Sequence, residues 1–173
     1  ISWIEDSPAQ ERIIMGSAWA AELEILEDDQ FRAAIGNGRI RLVVLPHLIN
    51  DEIQSRLTGY DDLEVLVIED FEALEKASFG NQVVILKLKG VLCELYSYFG
   101  NAFVGGGHGR SVHSVLEPFF AGNRIFCGPK VHRSTEVDFI NYKNSEDLVI
   151  VPKLKDFYNL YIGLSTKQNN NSW

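Results

Sequence analysis

Short runs of apolar, mostly β-branched residues alternate along the chain with stretches whose apolar residues recur at helical spacing. The runs predict seven strands, over 12–17, 39–47, 62–70, 81–90, 101–107, 123–129 and 146–151. The intervening stretches predict helices over 18–35, 48–57, 71–80, 91–99, 112–122, 134–143 and 153–167, with Asn50 as a cap of the second. This alternation predicts an α/β domain, a doubly wound parallel sheet with helices on both faces. The strands are almost wholly apolar, which agrees with burial on both sides.

Length and charge narrow the class of protein. The 173 residues suit one domain, which we expect over 1–167, followed by a polar tail at 168–173. The chain starts without methionine, so we expect it to be a piece of a longer protein. A formal net charge of -8 argues against non-specific binding to nucleic acid. No run approaches the ~20 apolar residues of a membrane span. Cys93 and Cys127 have no paired or metal-like spacing, which predicts buried, reduced thiols and a cytosolic compartment.

The carboxyl ends of the predicted strands indicate where a ligand would bind, because ligands of open parallel sheets occupy the crevice beyond those ends. The turns that follow the strands are rich in glycine and proline: 16–17, 46–47, 89–90, 105–107 and 128–130. The triple glycine lies in FVGGGHGRSVHSVLEP, residues 103–118. Glycine lets a ligand approach backbone N–H groups, and the helix that follows favours an anion at its start.

Several known motifs are excluded by single positions. A Walker phosphate loop would require glycine at Val104 and lysine at Arg110, and the dinucleotide-binding pattern would require glycine at Arg110. Ser111 lacks the flanking glycines of a nucleophile elbow. His108 and His113 have no third ligand at a suitable spacing, so no metal site is expected.

Glu117 is the acidic residue of greatest interest, because it follows the glycine loop in an apolar stretch before Pro118. A carboxylate in such surroundings needs compensating hydrogen bonds. Its two oxygens match the two hydroxyls of a ribose. We interpret Glu117 as the acceptor for a nucleotide ribose.

Together these segments resemble a known family. The stretch 103–118, IFCGPK at 125–130 and the later Glu136 are similar to the carboxyl-terminal domain of 3-deoxy-D-manno-octulosonic acid (Kdo) transferases, bacterial glycosyltransferases of the two-domain GT-B fold. The resemblance extends over residues 12–145 and includes MGSAWAAELEIL, LVVLPH and KGVLCELYSYFGNAFVGGG. It implies a Rossmann-like, donor-binding half of such an enzyme.

The resemblance also implies an activity and a site. Such enzymes transfer Kdo from CMP-Kdo to lipid A precursor in lipopolysaccharide biosynthesis, at the cytoplasmic face of the inner membrane and without a metal cofactor. The donor-binding positions would be Ser17, Pro46, His47, Gly90, Val91, Leu92, Gly105, Gly106, Gly107, Ser114, Val115, Leu116 and Glu117. Charge, rather than a match to the family's pattern, makes Arg110 and Lys130 candidate partners for the donor's carboxylate and phosphate, and the later glutamate, Glu136, is a further candidate charge partner.

Two departures and a missing domain leave alternatives open. Val91 stands where the family has glutamate, and Ser114 stands where it has asparagine. The catalytic base, the acceptor contacts and any membrane association would come from an amino-terminal domain, so this chain alone is expected to be soluble and inactive. The chain is alternatively half of another GT-B glycosyltransferase or epimerase using a different nucleotide sugar. A third interpretation is a non-catalytic binding module whose glycine loop is architectural.

Overall fold

The computed structural model describes residues 2–77, 80–143 and 145–170. Within these ranges a parallel sheet contains seven strands: β1 (Arg12–Ala18), β2 (Arg41–Pro46), β3 (Glu64–Ile68), β4 (Gln82–Leu86), β5 (Asn101–Val104), β6 (Arg124–Cys127) and β7 (Leu148–Ile150). Their spatial order is β3-β4-β2-β1-β5-β6-β7, and every pairing is parallel. The predicted fold class is confirmed.

Helices cover the sheet on both faces. They are α1 (Ser2–Glu5), α2 (Asp29–Gly36), α3 (Glu52–Leu57), α4 (Phe71–Lys76), α5 (Leu92–Tyr96), α6 (Leu116–Phe120), α7 (Thr135–Tyr142) and α8 (Phe157–Asn170). Segments Ala9–Glu11, Ala20–Glu27 and Leu154–Asp156 are 3-10 helices. Successive side chains of β1 enter different cores: Ile13 and Met15 belong to one apolar cluster and Ile14 to another. This alternation follows from the pleat of a strand and explains why strands buried on both faces are apolar throughout.

Several predicted boundaries were wrong. The helix predicted over 18–35 is interrupted at Asp28, whose carboxylate accepts hydrogen bonds from the amides of Gln30 and Phe31 and so starts α2 as a cap. The second predicted helix begins at Glu52, after the cap residue Asp51, rather than at 48. Asn50 instead accepts the Glu52 amide in a turn.

Other boundaries shift at the ends of elements. The strand predicted over 101–107 ends at Val104, and the three glycines form a turn. The helix predicted over 112–122 begins only at Leu116, and that over 71–80 ends at Lys76, with 78–79 outside the described residues. Helix α8 continues through 168–170 of the predicted tail, while 171–173 lie outside the described residues.

The strand order creates a crevice beside β1. The chain passes from β1 to β2 on one side and later returns to place β5 on the other side of β1. At such a reversal the loops leaving the two neighbouring strands diverge, and ligands bind in the gap between them. The turns after β1 and β5 therefore border the expected site.

No helix in the described ranges is both long and apolar enough to cross a bilayer.

Candidate functional site

An open cleft of about 420 Å³ lies at this crevice. Six of the thirteen predicted donor-binding residues line it: Ser17, His47, Gly90, Leu92, Ser114 and Glu117. They come from four separate turns, so only the tertiary fold brings them together. Three further residues of the lining were not predicted: Cys93, Tyr96 and His113. The other seven predicted positions are not part of its lining.

Ser17 stands at a distortion of β1. Its φ of 53° is in the left-handed region, and the pairing register of β1 with β2 shifts between Met15 and Ala18. A non-glycine residue adopts this conformation at an energetic cost, which is typical of functional turns. The same turn directs the carbonyl of Ala18 to the amide of His47, at 2.9 Å. The distortion thus fixes two residues of the cleft at once.

Gly90 is required by its backbone conformation. Its φ is 76°, and a Cβ placed there would meet no atom within 4 Å, so space is not the constraint. The turn delivers Leu92 to the cleft at the start of α5. Val91, which departs from the family's glutamate, is half-buried and does not line the cleft. Pro46, Val115 and Leu116 are likewise not among the residues that line the cleft.

Residues 105–107, here called the glycine loop, are buried and pack against other backbone. A Cβ on Gly105 would lie 2.1 Å from the carbonyl oxygen of Ser17, and one on Gly107 would lie 2.7 Å from the amide nitrogen of Gly128. The amide of Gly105 donates to the carbonyl of Gly16 at 2.9 Å. The glycines therefore let three turns approach each other closely.

This arrangement limits what the glycine loop offers a ligand. The amides of Gly105 and Gly106 both donate to acceptors within the protein, so they are not the free phosphate donors that the glycine pattern indicated. Contact of the loop with a donor stays a prediction. In the structure the loop packs closely against the turn that carries Ser17.

Glu22 is a structural residue that the sequence interpretation did not single out. Only 2% of it is exposed, and its two carboxylate oxygens accept the amides of Trp19 at 2.9 Å and Gly106 at 2.7 Å. Burial raises the pKa of Glu22, whereas the two amide bonds favour the charged form. The carboxylate thus joins the turn after β1 to the glycine loop. Glu22 stands at N3 of the 3-10 segment, where a glutamate accepts the N-cap amide, but Trp19 at the N-cap does not complete the sequence signature of a capping box.

Glu117 is exposed, which corrects the expectation of an apolar environment. Pro118, the next residue, takes the buried side of α6, so the Glu117 side chain points outward and borders the cleft. Among the described residues its carboxylate has no hydrogen-bond or ion-pair partner. Both oxygens are consequently available to a ligand. Tyr96 lies across the same cleft, and burial, with a smaller effect of Glu117, raises the pKa of its phenol.

An aromatic cluster forms one end of the cleft. The rings of His47 and His113 stack with centroids 4.3 Å apart, and Trp19 lies 4.5 Å from His47. The indole Nε1 of Trp19 donates to Nε2 of His113 at 3.2 Å. The guanidinium of Arg110 lies 4.8 Å from the Trp19 ring centroid, within the range of a cation–π contact. His113 is therefore held as a neutral acceptor.

Acid should weaken this cluster. Burial, and then the neighbouring His47, lower the pKa of His113 below its ordinary value. A group with a lowered folded-state pKa contributes its stability in full above about pH 6.5, and the contribution falls as pH decreases toward the folded pKa. We expect the melting temperature of wild type to fall more between pH 7 and pH 5 than that of His113→Gln. The glutamine amide oxygen accepts the indole N–H of Trp19 at either pH. Thermal melts at both pH values test this, and equal losses would contradict it.

The three candidate charge partners occupy different places. Glu136 accepts the amide of Val115 at 2.8 Å and the Ser114 hydroxyl at 3.3 Å, so it positions the segment before α6. Lys130 is exposed and donates to the carbonyl of Gly109 at 3.0 Å. Lys130 and Glu136 line a small polar pocket of about 220 Å³ that shares His113 and Ser114 with the cleft. Arg110 faces a separate cavity beyond Trp19.

The cysteines differ from each other. Cys127 is buried, as predicted, and burial raises the pKa of its thiol to about 12. Cys93 is exposed, contrary to prediction, because it lies in the first turn of the short α5, where it borders the cleft. Among the described residues no three His, Cys, Asp or Glu side chains are grouped as metal ligands.

Among known proteins, the chain is similar in fold to a domain of known structure. The chain superimposes on the crystal structure of the C-terminal CMP-Kdo binding domain of WaaA from Acinetobacter baumannii with a TM-score of 0.78 and 19% sequence identity. The match covers 96% of this chain and 85% of that one. No protein-family model matches the sequence, and neither does any curated protein. At this identity the likeness establishes a shared domain fold.

Proposed function

We propose that this chain is the donor-binding domain of a Kdo transferase and that its ligand is CMP-Kdo. The observation that carries the proposal is the convergence of six predicted donor-binding residues on one cleft, at the strand reversal where such sheets bind ligands. The fold shared with a CMP-Kdo binding domain supports it. The family's carboxylate position is occupied by Glu117, which is exposed to the cleft.

Each part of CMP has a matching surface in this proposal. The ribose hydroxyls donate to the two oxygens of Glu117. The cytosine lies against the exposed His47 ring and the Leu92 side chain, which provide flat and apolar surfaces. The phosphate lies near the hydroxyls of Ser17 and Ser114. The departures from the family leave this scheme intact, because Val91 is outside the cleft wall and Ser114 retains a hydroxyl donor.

The parent enzyme in this proposal is a glycosyltransferase that adds Kdo to lipid A precursor in lipopolysaccharide biosynthesis. The transfer takes place at the cytoplasmic face of the bacterial inner membrane. The catalytic base, the acceptor site and the membrane contact belong to the amino-terminal half of the enzyme, so the 173-residue chain binds donor without turnover. No metal takes part in donor binding in this scheme.

Replacing Glu117 by alanine should weaken CMP binding about 10- to 100-fold. The variant loses a charged acceptor of the ribose hydroxyls, worth about 1.5–3 kcal/mol. Isothermal titration calorimetry with CMP, UMP and AMP at one fixed moderate salt concentration measures the effect and the base preference together.

Glu52→Ala is the matched control, because Glu52 is also an exposed glutamate in the first turn of a short helix but lies away from the cleft. It should bind CMP as wild type does. Preferential binding of UMP would favour another nucleotide-sugar enzyme of the same fold. Binding of none of the three nucleotides would overturn the proposed function.

A further inference from the structure

A cavity of about 520 Å³ is lined by Trp19, whose ring also contacts His47 and His113 of the cleft. Its walls are the 3-10 segment Ala20–Glu27, the loop after the glycine loop, and the turn after β7. The lining includes Trp19, Glu24, His108, Arg110, Lys153 and Lys155. Of these residues, Arg110 is the one that the sequence analysis names as a candidate charge partner at the donor.

The charges of the cavity favour an anion. Arg110, Lys153 and Lys155 are exposed cations in its wall, whereas the acidic residues are Glu22 and Glu24. Glu22 contributes little to the cavity, because both of its oxygens accept backbone amides and its pKa is raised by burial. Lys155 is only loosely paired with Glu27, at 4.0 Å. Among the described lining residues, three cations therefore face one carboxylate, that of Glu24, which accepts no backbone amide.

The remaining groups suit a polyhydroxylated ring. Trp19 provides an aromatic wall, beside which the Arg110 guanidinium is held 4.8 Å from the ring centroid. Glu24 is half-buried at the margin, where its carboxylate can accept hydroxyl groups. The His108 ring is fixed by a 2.7 Å hydrogen bond between its Nε2 and the carbonyl of Val151. An arginine fork matches a carboxylate in a bidentate manner.

The neighbouring basic pocket is less suitable. The pocket with Lys130 and Arg133 measures about 220 Å³, below the range of about 300–1,000 Å³ typical of small-molecule sites, whereas the Trp19 cavity falls within it. The Trp19 cavity also adjoins the cleft directly, through the hydrogen bond from Trp19 to His113. Trp19 therefore separates the cavity from the cleft, with its ring lining the former and contacting His47 and His113 of the latter.

We infer that the Trp19 cavity binds the acidic sugar of the nucleotide donor. Arg110 and Lys153 donate hydrogen bonds to its carboxylate, and the Glu24 carboxylate accepts hydrogen bonds from its hydroxyl groups. This inference rests on the proposed function, since it supplies the sugar half of the same donor site. It assigns separate tasks to the basic residues: Arg110 recognises the sugar, and Lys130 and Arg133 do not.

The test compares the affinity of the 173-residue chain for CMP and for CMP-Kdo, in wild type, Arg110→Gln and Arg133→Gln. Both variants replace an exposed arginine by the same side chain, so they change the net charge equally. Wild type should bind CMP-Kdo at least tenfold more tightly than CMP, as expected of a charge-assisted contact. Arg110→Gln should lose most of this ratio, and Arg133→Gln should keep it.

The outcomes separate the two proposals. Equal affinity of wild type for CMP and CMP-Kdo, or equal effects of the two variants on the ratio, would overturn the assignment of the cavity and leave nucleotide binding intact. Absence of binding to either ligand would overturn the proposed function and, with it, this inference. Lys153→Gln provides a second variant in the cavity wall, and it should lower the ratio in the same direction as Arg110→Gln.

Discussion

Replacing Glu22 by alanine should destabilise the protein by about 3 kcal/mol. The carboxylate accepts two backbone amides, of Trp19 and Gly106, in a site with 2% exposure. Each buried donor left without a partner costs about 1–3 kcal/mol. Urea unfolding followed by circular dichroism measures the loss. Glu22→Gln retains a single acceptor oxygen, so it should lie between wild type and alanine.

Glu24→Ala provides the comparison, because Glu24 belongs to the same 3-10 segment but is only half-buried. It should change stability by no more than about 0.5 kcal/mol, as is usual for surface positions. Similar losses in the two alanine variants would show that Glu22 contributes no more than an ordinary charge. Glu22→Ala should also weaken CMP binding, since the turn carrying Ser17 is joined to the glycine loop through this carboxylate.

Gly105→Ala should be at least as damaging, with an expected loss of about 3 kcal/mol. The added methyl group would lie 2.1 Å from the carbonyl oxygen of Ser17 and 2.8 Å from a carboxylate oxygen of Glu22. Overpacking of a tight site typically costs about 1–3 kcal/mol, and here the obstacle is backbone that cannot rotate away. Urea unfolding measures the stability, and CMP titration shows whether the cleft is retained.

Gly109→Ala is the control within the same stretch of chain. A Cβ on Gly109 would meet no atom within 4 Å, and its φ is not in the left-handed region. The substitution should therefore be neutral or stabilise by up to about 1 kcal/mol, through the reduced entropy of the unfolded chain. A Gly105→Ala protein as stable as Gly109→Ala would refute the close packing of the turns after β1 and β5.

The alternation of apolar runs and amphipathic stretches was sufficient to predict the parallel sheet and its seven strands. Burial on both faces requires continuous apolar strands, and this signal is local. Element boundaries were harder, because they depend on single hydrogen bonds. Asp28 ends one helical segment, and its side chain accepts the first amides of the next helix. The spacing of apolar residues from 18 to 35 continues across Asp28, so it does not reveal this break. The strand ends at Val104 for a similar reason, because single hydrogen bonds tie the glycines that follow to other loops. The carbonyls of Gly105 and Gly107 accept the amides of His113 and Lys130.

The sequence by itself determined the fold class and a set of crevice residues, because each strand's end is readable from its own turn. Only the tertiary structure decided which of these residues meet. It places Glu117 in the cleft with no partner for either carboxylate oxygen among the described residues, uses Glu136 to hold the preceding segment, and separates Arg110 from Lys130 into different pockets. It also turns the glycine loop inward, so that the glycines serve close packing. These assignments depend on contacts between residues far apart in the chain, such as Glu22 with Gly106, and no local pattern contains them.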